Sequence, residues 1–130
     1  MDETVNTLIT TARNLIDAKG DGKNHTVAAA IQATDGKVYA GINVFHFTGG
    51  PCGEVSALAA ALSDGNKELE SIVAVGNNNR GVIAPCGRCR QILFEYCPNI
   101  KVVVNKDGGN ILMPIKDLLP ELYDWNAQNV

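Results

Sequence analysis

An α/β fold of three layers, α/β/α, with a mixed five-stranded sheet, is predicted by three observations. Apolar residues recur at helical spacing near the N-terminus, short segments rich in Val, Ile and Ala alternate with helical stretches further on, and residues 71–75 are a nearly unbroken apolar run, as suits a strand covered on both faces. Strands alternating with helices imply right-handed crossovers, a mostly parallel central sheet and helices on both sides of it. With 130 residues, 45% of them hydrophobic, the chain suits a single domain, residues 1–130, around one core.

Each element has its own signal. In residues 3–19, Val5, Leu8, Ile9, Ala12, Leu15 and Ile16 follow helical spacing and Gly20 closes the run, which makes an amphipathic helix. Residues 25–33 and 37–44 are joined by Thr34-Asp35-Gly36, where Asp-Gly supplies the positive φ of a tight hairpin, so they are expected as antiparallel strands. Residues 52–63 are rich in Ala and Leu, with Gly65 beyond, and predict a buried helix. The strand at 71–75 leads into a polar loop at 76–84, and Pro85 precedes a third helix at 86–96. Residues 100–104 predict another apolar strand, 106–109 a turn, 110–113 a short strand, and 115–122 a last helix interrupted at Pro120. The expected order is α-β-β-α-β-α-β-β-α.

Composition excludes several roles. Eleven Lys and Arg against fourteen Asp and Glu leave a net charge of -3, so no basic field exists to hold a nucleic-acid backbone. No apolar run approaches the roughly 20 residues that cross a bilayer, and Met1-Asp2-Glu3-Thr4 lacks the basic start of a signal peptide, which points to a cytoplasmic protein without a membrane partner. Cysteines at 52, 86, 89 and 97, in a reducing compartment, read as metal ligands or catalytic groups before they read as disulfides.

The chemistry concentrates in Cys52-Gly53-Glu54 and Pro85-Cys86-Gly87-Arg88-Cys89. Strands 37–44 and 71–75 are expected to end on one rim of the sheet, so Cys52 and Cys86 open helices on the same side, where ligands bind in such folds. Free N–H groups and the positive dipole end at a helix start favour thiolates. Zinc takes soft sulfur ligands in a tetrahedron, and catalytic sites keep three protein ligands with the fourth position left to water. Three thiolates around Zn²⁺ leave a charge of about -1, which a nearby cation should offset, with Arg80 and Arg90 the candidates.

These residues resemble the signature of the zinc-dependent cytidine deaminase superfamily, His or Cys-x-Glu followed by Pro-Cys-x-x-Cys. Within it the likeness is greatest to the blasticidin S deaminases, through residues 43–52 (NVFHFTGGPC), 76–81 (GNNNRG) and 85–91 (PCGRCRQ), and extends over about residues 25–125. The resemblance implies one zinc per chain held by Cys52, Cys86 and Cys89, and attack of an activated water on C4 of a cytosine ring. Glu54 would take the water's proton and pass protons to N3 and the departing amino group. It brings Asn43, Phe45, Gly53, His25 and Trp125 to the substrate, with the Gly53 N–H as a donor to the pyrimidine carbonyl, and it implies a homotetramer whose interface includes Phe45-His46-Phe47.

Departures within the resemblance bear on substrate. Nucleoside cytidine deaminases carry Asn-Val (or Ile)-Glu-Asn where this chain has Asn43-Val44-Phe45-His46, and Phe45 cannot accept hydrogen bonds from ribose hydroxyls as that Glu does. Blasticidin S deaminases have Tyr-His there, and their substrate has a modified sugar with a cationic tail, so a cytosine antibiotic is the expected substrate and cytidine or deoxycytidine the alternative. His25 stands where cytidine deaminases carry a Phe against the base, Val55 replaces an Arg that often follows the shuttle Glu, and 122–125 (LYDW) resembles the Tyr-x-Trp ending of the antibiotic enzymes. Two other readings compete: a thioredoxin-like Cys86–Cys89 dithiol, and a structural zinc module with Cys97, His25 or His46 as fourth ligand.

Overall fold

In a computed structural model that describes residues 3–128, the predicted N-terminal helix is α1 (Glu3–Lys19), and its Val5, Leu8, Ile9, Ala12 and Ile16 are buried along one stripe. That stripe lies on one face of a sheet, against Ala28, Ala30, Val73, Val75 and Val103. The opposite face, with Ala29, Ile31, Ile72, Ala74, Val102 and Val104, is covered by helices α2 (Gly53–Ser63) and α3 (Gly87–Tyr96). The three layers are those the alternation of elements predicts.

The sheet runs β2-β1-β3-β5-β6, from β1 (Val27–Ala33), β2 (Val38–Ile42), β3 (Leu69–Gly76), β5 (Lys101–Lys106) and β6 (Gly109–Pro114). A sixth strand, β4 (Gly81–Ile83), folds back on β3 in the segment expected as a loop, pairing Ala74 with Ile83 and Gly76 with Gly81. Its turn places Asn78, Asn79 and Gly81 at positive φ, a conformation Asn and Gly tolerate best.

The expectation of a mostly parallel sheet is corrected. Among the described residues only β3 and β5 pair in parallel; β1 pairs antiparallel with both β2 and β3, β3 with β4, and β5 with β6. The cause lies in which hairpin strand goes inside. Ala28 to Ile31 are fully buried on both faces, so β1 belongs in the interior, whereas every residue of β2 is only half-buried and suits an edge. With β1 inserted between them, β2 and β3 still run the same way, and their carboxyl ends share one rim of the sheet.

The final helix expected at 115–122 also differs. Residues Ile115–Leu118 make one 3₁₀ turn, and the chain leaves helical geometry at Leu119 (φ -136°, ψ 68°), because a residue before proline is pushed out of the α region. A short helix, α4 (Trp125–Gln128), follows.

Candidate active site

The two predicted cysteine helices begin one residue later than their cysteines. Cys52 and Cys86 are the N-cap residues of α2 and α3, both extended (φ -71°, ψ 164° and φ -68°, ψ 169°), and neither makes a side-chain capping bond. An N-cap position aims the side chain at the free N–H groups of the first turn. Burial pushes the Cys86 thiol up, but the nearby backbone N–H groups of Cys89 and Arg88 and the thiols of Cys89 and Cys52 outweigh it and leave its pKa lowered.

Cys89, one turn along α3, is fully buried and completes the group: the sulfurs of Cys52, Cys86 and Cys89 all lie within 4.8 Å of one another. Sulfurs in a tetrahedron ~2.3 Å from zinc stand ~3.8 Å apart, so the thiols already converge on the scale a metal requires. Burial pushes the Cys52 and Cys89 thiols up; Cys86 and Glu54 add to this at both, Cys52 adds to it at Cys89, and Cys89 opposes it at Cys52. All four cysteines are free thiols. Cys97, at the far end of α3, has burial alone acting on it, which raises its pKa to about 12, an inert core thiol. His25, His46 and Cys97 are not part of the metal-ligating group found among the described residues.

Glu54 sits in the first turn of α2, only 6% exposed, and burial raises its carboxyl pKa. With Cys52, Gly53 and Cys86 it lines a cavity of about 200 Å³ whose other walls are Val27, Asn43, Ala74, Ile83 and Ala84. A carboxyl group removed from water beside a metal-ligating cluster, facing a small open pocket, is equipped to carry a proton.

Other predicted site residues have structural tasks. The Asn43 carboxamide lines the pocket, but its Oδ1 accepts the N–H of Thr26 (2.7 Å) and Val27 (3.0 Å) and its Nδ2 donates to the Asn24 carbonyl (3.2 Å). His25 is tied to the same strap: its Nδ1 lies 2.8 Å from the Asn43 carbonyl, which only accepts, so that nitrogen carries the hydrogen. Arg80 donates to the Thr26 carbonyl (2.8 Å) and to Asn77 Oδ1 (2.9 Å), and Arg90 donates to the carbonyls of Pro85 (2.7 Å) and Leu118 (3.2 Å). These bonds of the two arginines end on oxygen, not on a cysteine sulfur. The N–H groups at the start of α3 add positive potential at Cys86.

Phe45 is 64% exposed, in the loop between β2 and α2, where its N–H donates to the Asn24 carbonyl (3.2 Å). Trp125 lies beside Glu95 and Tyr96, and Gln91 holds the preceding segment by donating to the Tyr123 carbonyl (2.8 Å). That places Trp125 at the C-terminal end of α3, the end opposite Cys86, so within this chain it does not close over the cluster. Sequence reasoning missed Ile83 and Ala84, because β4 was read as loop, and Arg88, which donates to the Gly50 carbonyl (3.0 Å).

The model of the cytidine and deoxycytidylate deaminase zinc-binding region matches residues 2–106. The chain belongs to this family. Zinc is accordingly its cofactor, with Cys52, Cys86 and Cys89 the cluster able to hold it, and the enzyme is a hydrolytic deaminase. Among similar proteins, a blasticidin-S deaminase of Bacillus cereus is 28% identical over 128 residues, covering 92% of this chain and 91% of its own. A cytidine deaminase of Halalkalibacterium halodurans is 37% identical over 107 residues, covering 79% and 80%. The crystal structure of a Burkholderia pseudomallei cytidine deaminase matches with a TM-score of 0.75 at 35% identity over 95% of this chain and all of its own. That of Mycobacterium tuberculosis cytidine deaminase matches at 0.78 and 27% identity, over 95% and 99%. The dithiol and structural-zinc readings give way to the deaminase.

Proposed function

We propose that this deaminase removes the 4-amino group of a cytosine nucleoside, with Glu54 as the proton carrier, and that it prefers blasticidin S or a related antibiotic over cytidine. The observation that carries the reaction is the buried Glu54 carboxyl lining one small cavity with Cys52 and Cys86. Zinc, held by Cys52, Cys86 and Cys89, would supply a water acidified enough to act as nucleophile near neutral pH. Glu54 takes one proton from the attacking water and passes it to ring N3, then takes the proton of the C4 hydroxyl so formed and passes it to the amino group; the C4–N bond breaks, ammonia leaves and the oxygen stays as the C4 carbonyl. The Gly53 N–H, at the start of α2 on the cavity wall, is the proposed donor to the ring carbonyl. Val27, Ala74 and Ile83 supply apolar walls for the base and exclude bulk water.

The cavity's roughly 200 Å³ falls below the ~300–1,000 Å³ of ordinary ligand pockets, which suits entry of the base with the sugar left at the rim. Phe45, two residues along the chain from the cavity-lining Asn43, is exposed and offers a ring and no hydrogen-bond acceptor, which supports a modified sugar over ribose. The similarity to a blasticidin-S deaminase along 92% of the chain supports the same choice. Cytidine is the second reading, favoured by the 37% identity to a cytidine deaminase. Turnover of both by the purified protein decides: kcat/KM is expected to be higher on blasticidin S, and a much higher value on cytidine overturns the preference.

The working form is proposed to be a cytoplasmic homotetramer. Phe47, 87% exposed beside Phe45, supports burial of this loop in an interface, and four free thiols suit a reducing compartment.

A further inference from the structure

We propose that Arg88 is a positioning residue that holds the Cys52 half of the metal site in register with the Cys86–Cys89 half. The three ligands belong to two separate segments, and neither N-cap cysteine is fixed by a capping bond of its own. Arg88 lies between Cys86 and Cys89 in sequence, and its Nη1 donates to the carbonyl of Gly50, two residues before Cys52 (3.0 Å). This one bond ties a ligand-bearing turn of α3 to the ligand-bearing end of the loop before α2.

The point it grips is rigid. The loop is pinched at its base, where the Val44 N–H donates to the Pro51 carbonyl (3.0 Å). A Cβ on Gly50 would stand 1.7 Å from the Val44 carbonyl oxygen, so only glycine allows this approach. A displacement of the Gly50 carbonyl therefore moves Cys52 through Pro51, and Phe45 through the pinch. Arg80 and Arg90 bind elsewhere, to Thr26 and Asn77 and to Pro85 and Leu118, and do not make this link. A flexible planar guanidinium reaches an oxygen on another segment without distorting its own helix, which suits an exposed residue in the first turn of α3.

The inference rests on the zinc-deaminase reading, so its test has two readouts, one of them independent of metal. In Arg88→Ala, zinc is expected to leave for a chromogenic chelator about tenfold faster than from wild type, the lower end of what loss of a ligand's supporting contacts costs. Amide hydrogen exchange over residues 44–52 rises, KM increases, and kcat per bound zinc changes little. Arg88→Lys, which keeps a donor on a long side chain, restores most of each. Wild-type zinc release and unchanged exchange in Arg88→Ala overturn the proposal. Were the wild type to hold no zinc, the zinc reading would fall, and exchange in the metal-free proteins would still decide whether Arg88 clamps the loop.

Discussion

Cys52 and Cys86 act from N-cap positions, so the first-turn N–H groups that would otherwise be satisfied by water or a hydroxyl side chain are free to face sulfur. Glu54, two residues on, is already inside the helix and buried. The division predicts different consequences for removing each. Glu54→Gln retains one zinc per chain while kcat falls by at least about a hundredfold, the scale of a lost general acid–base group. Cys89→Ala loses zinc as well as activity, and metal analysis beside steady-state rates separates the two; retained turnover in Glu54→Gln would remove the residue from its role. That the three cysteines converge, with Glu54 on the cavity beside them, was legible in the sequence because the expected chemistry requires particular side chains at particular spacings. The tasks of Asn43, Arg80, Arg88 and Arg90 were not, because their partners include main-chain carbonyls or N–H groups that every residue offers.

At the scale of elements, what a segment is was easier to read than where it goes. The stripe of α1 and the Ala-rich run of α2 announce themselves, whereas strand direction depends on which hairpin strand is covered twice, and Ala-rich β1 does not advertise that it lies inside. The entry to β1 carries a local device of its own. The Asp21 carboxylate accepts the N–H groups of His25 (2.8 Å), Lys23 (2.9 Å) and Asn24 (2.7 Å), which hold its pKa at about 2 against an ordinary 3.8, the His25 bond contributing most. A carboxyl with a lowered folded-state pKa stabilises fully above its unfolded value and loses that contribution as pH falls through the folded one. The stability advantage of wild type over Asp21→Asn should therefore be flat above about pH 4 and shrink toward pH 2. Denaturation midpoints of both proteins across that range check this, and parallel curves would deny the carboxylate its part.

Over the whole molecule, the rim formed by the ends of β2 and β3 gathers the strap at 24–27, the loop at 43–52 and the start of α3 around one cavity. Among the described residues no helix is long and apolar enough to cross a membrane. Two groups of aromatic side chains are exposed, Phe45 and Phe47 on the loop before α2 and Tyr96, Tyr123 and Trp125 in and after α3. If they meet other copies, light scattering at micromolar concentration gives four times the chain mass, and Phe47→Ser lowers it with the fold intact; a monomeric wild type contradicts the tetramer. Such contacts leave no spacing pattern in a single chain, which is why the sequence carried them only by resemblance.

Three cysteines holding one zinc for deamination of a cytosine nucleoside is the proposal on which the rest depends. Its most direct test is zinc content per chain measured on the same sample as ultraviolet loss of the 4-amino group from blasticidin S, cytidine and deoxycytidine. One zinc per chain, with turnover that disappears when zinc is chelated and returns when it is restored, is the predicted result. A fully loaded protein that turns over none of the three would contradict it.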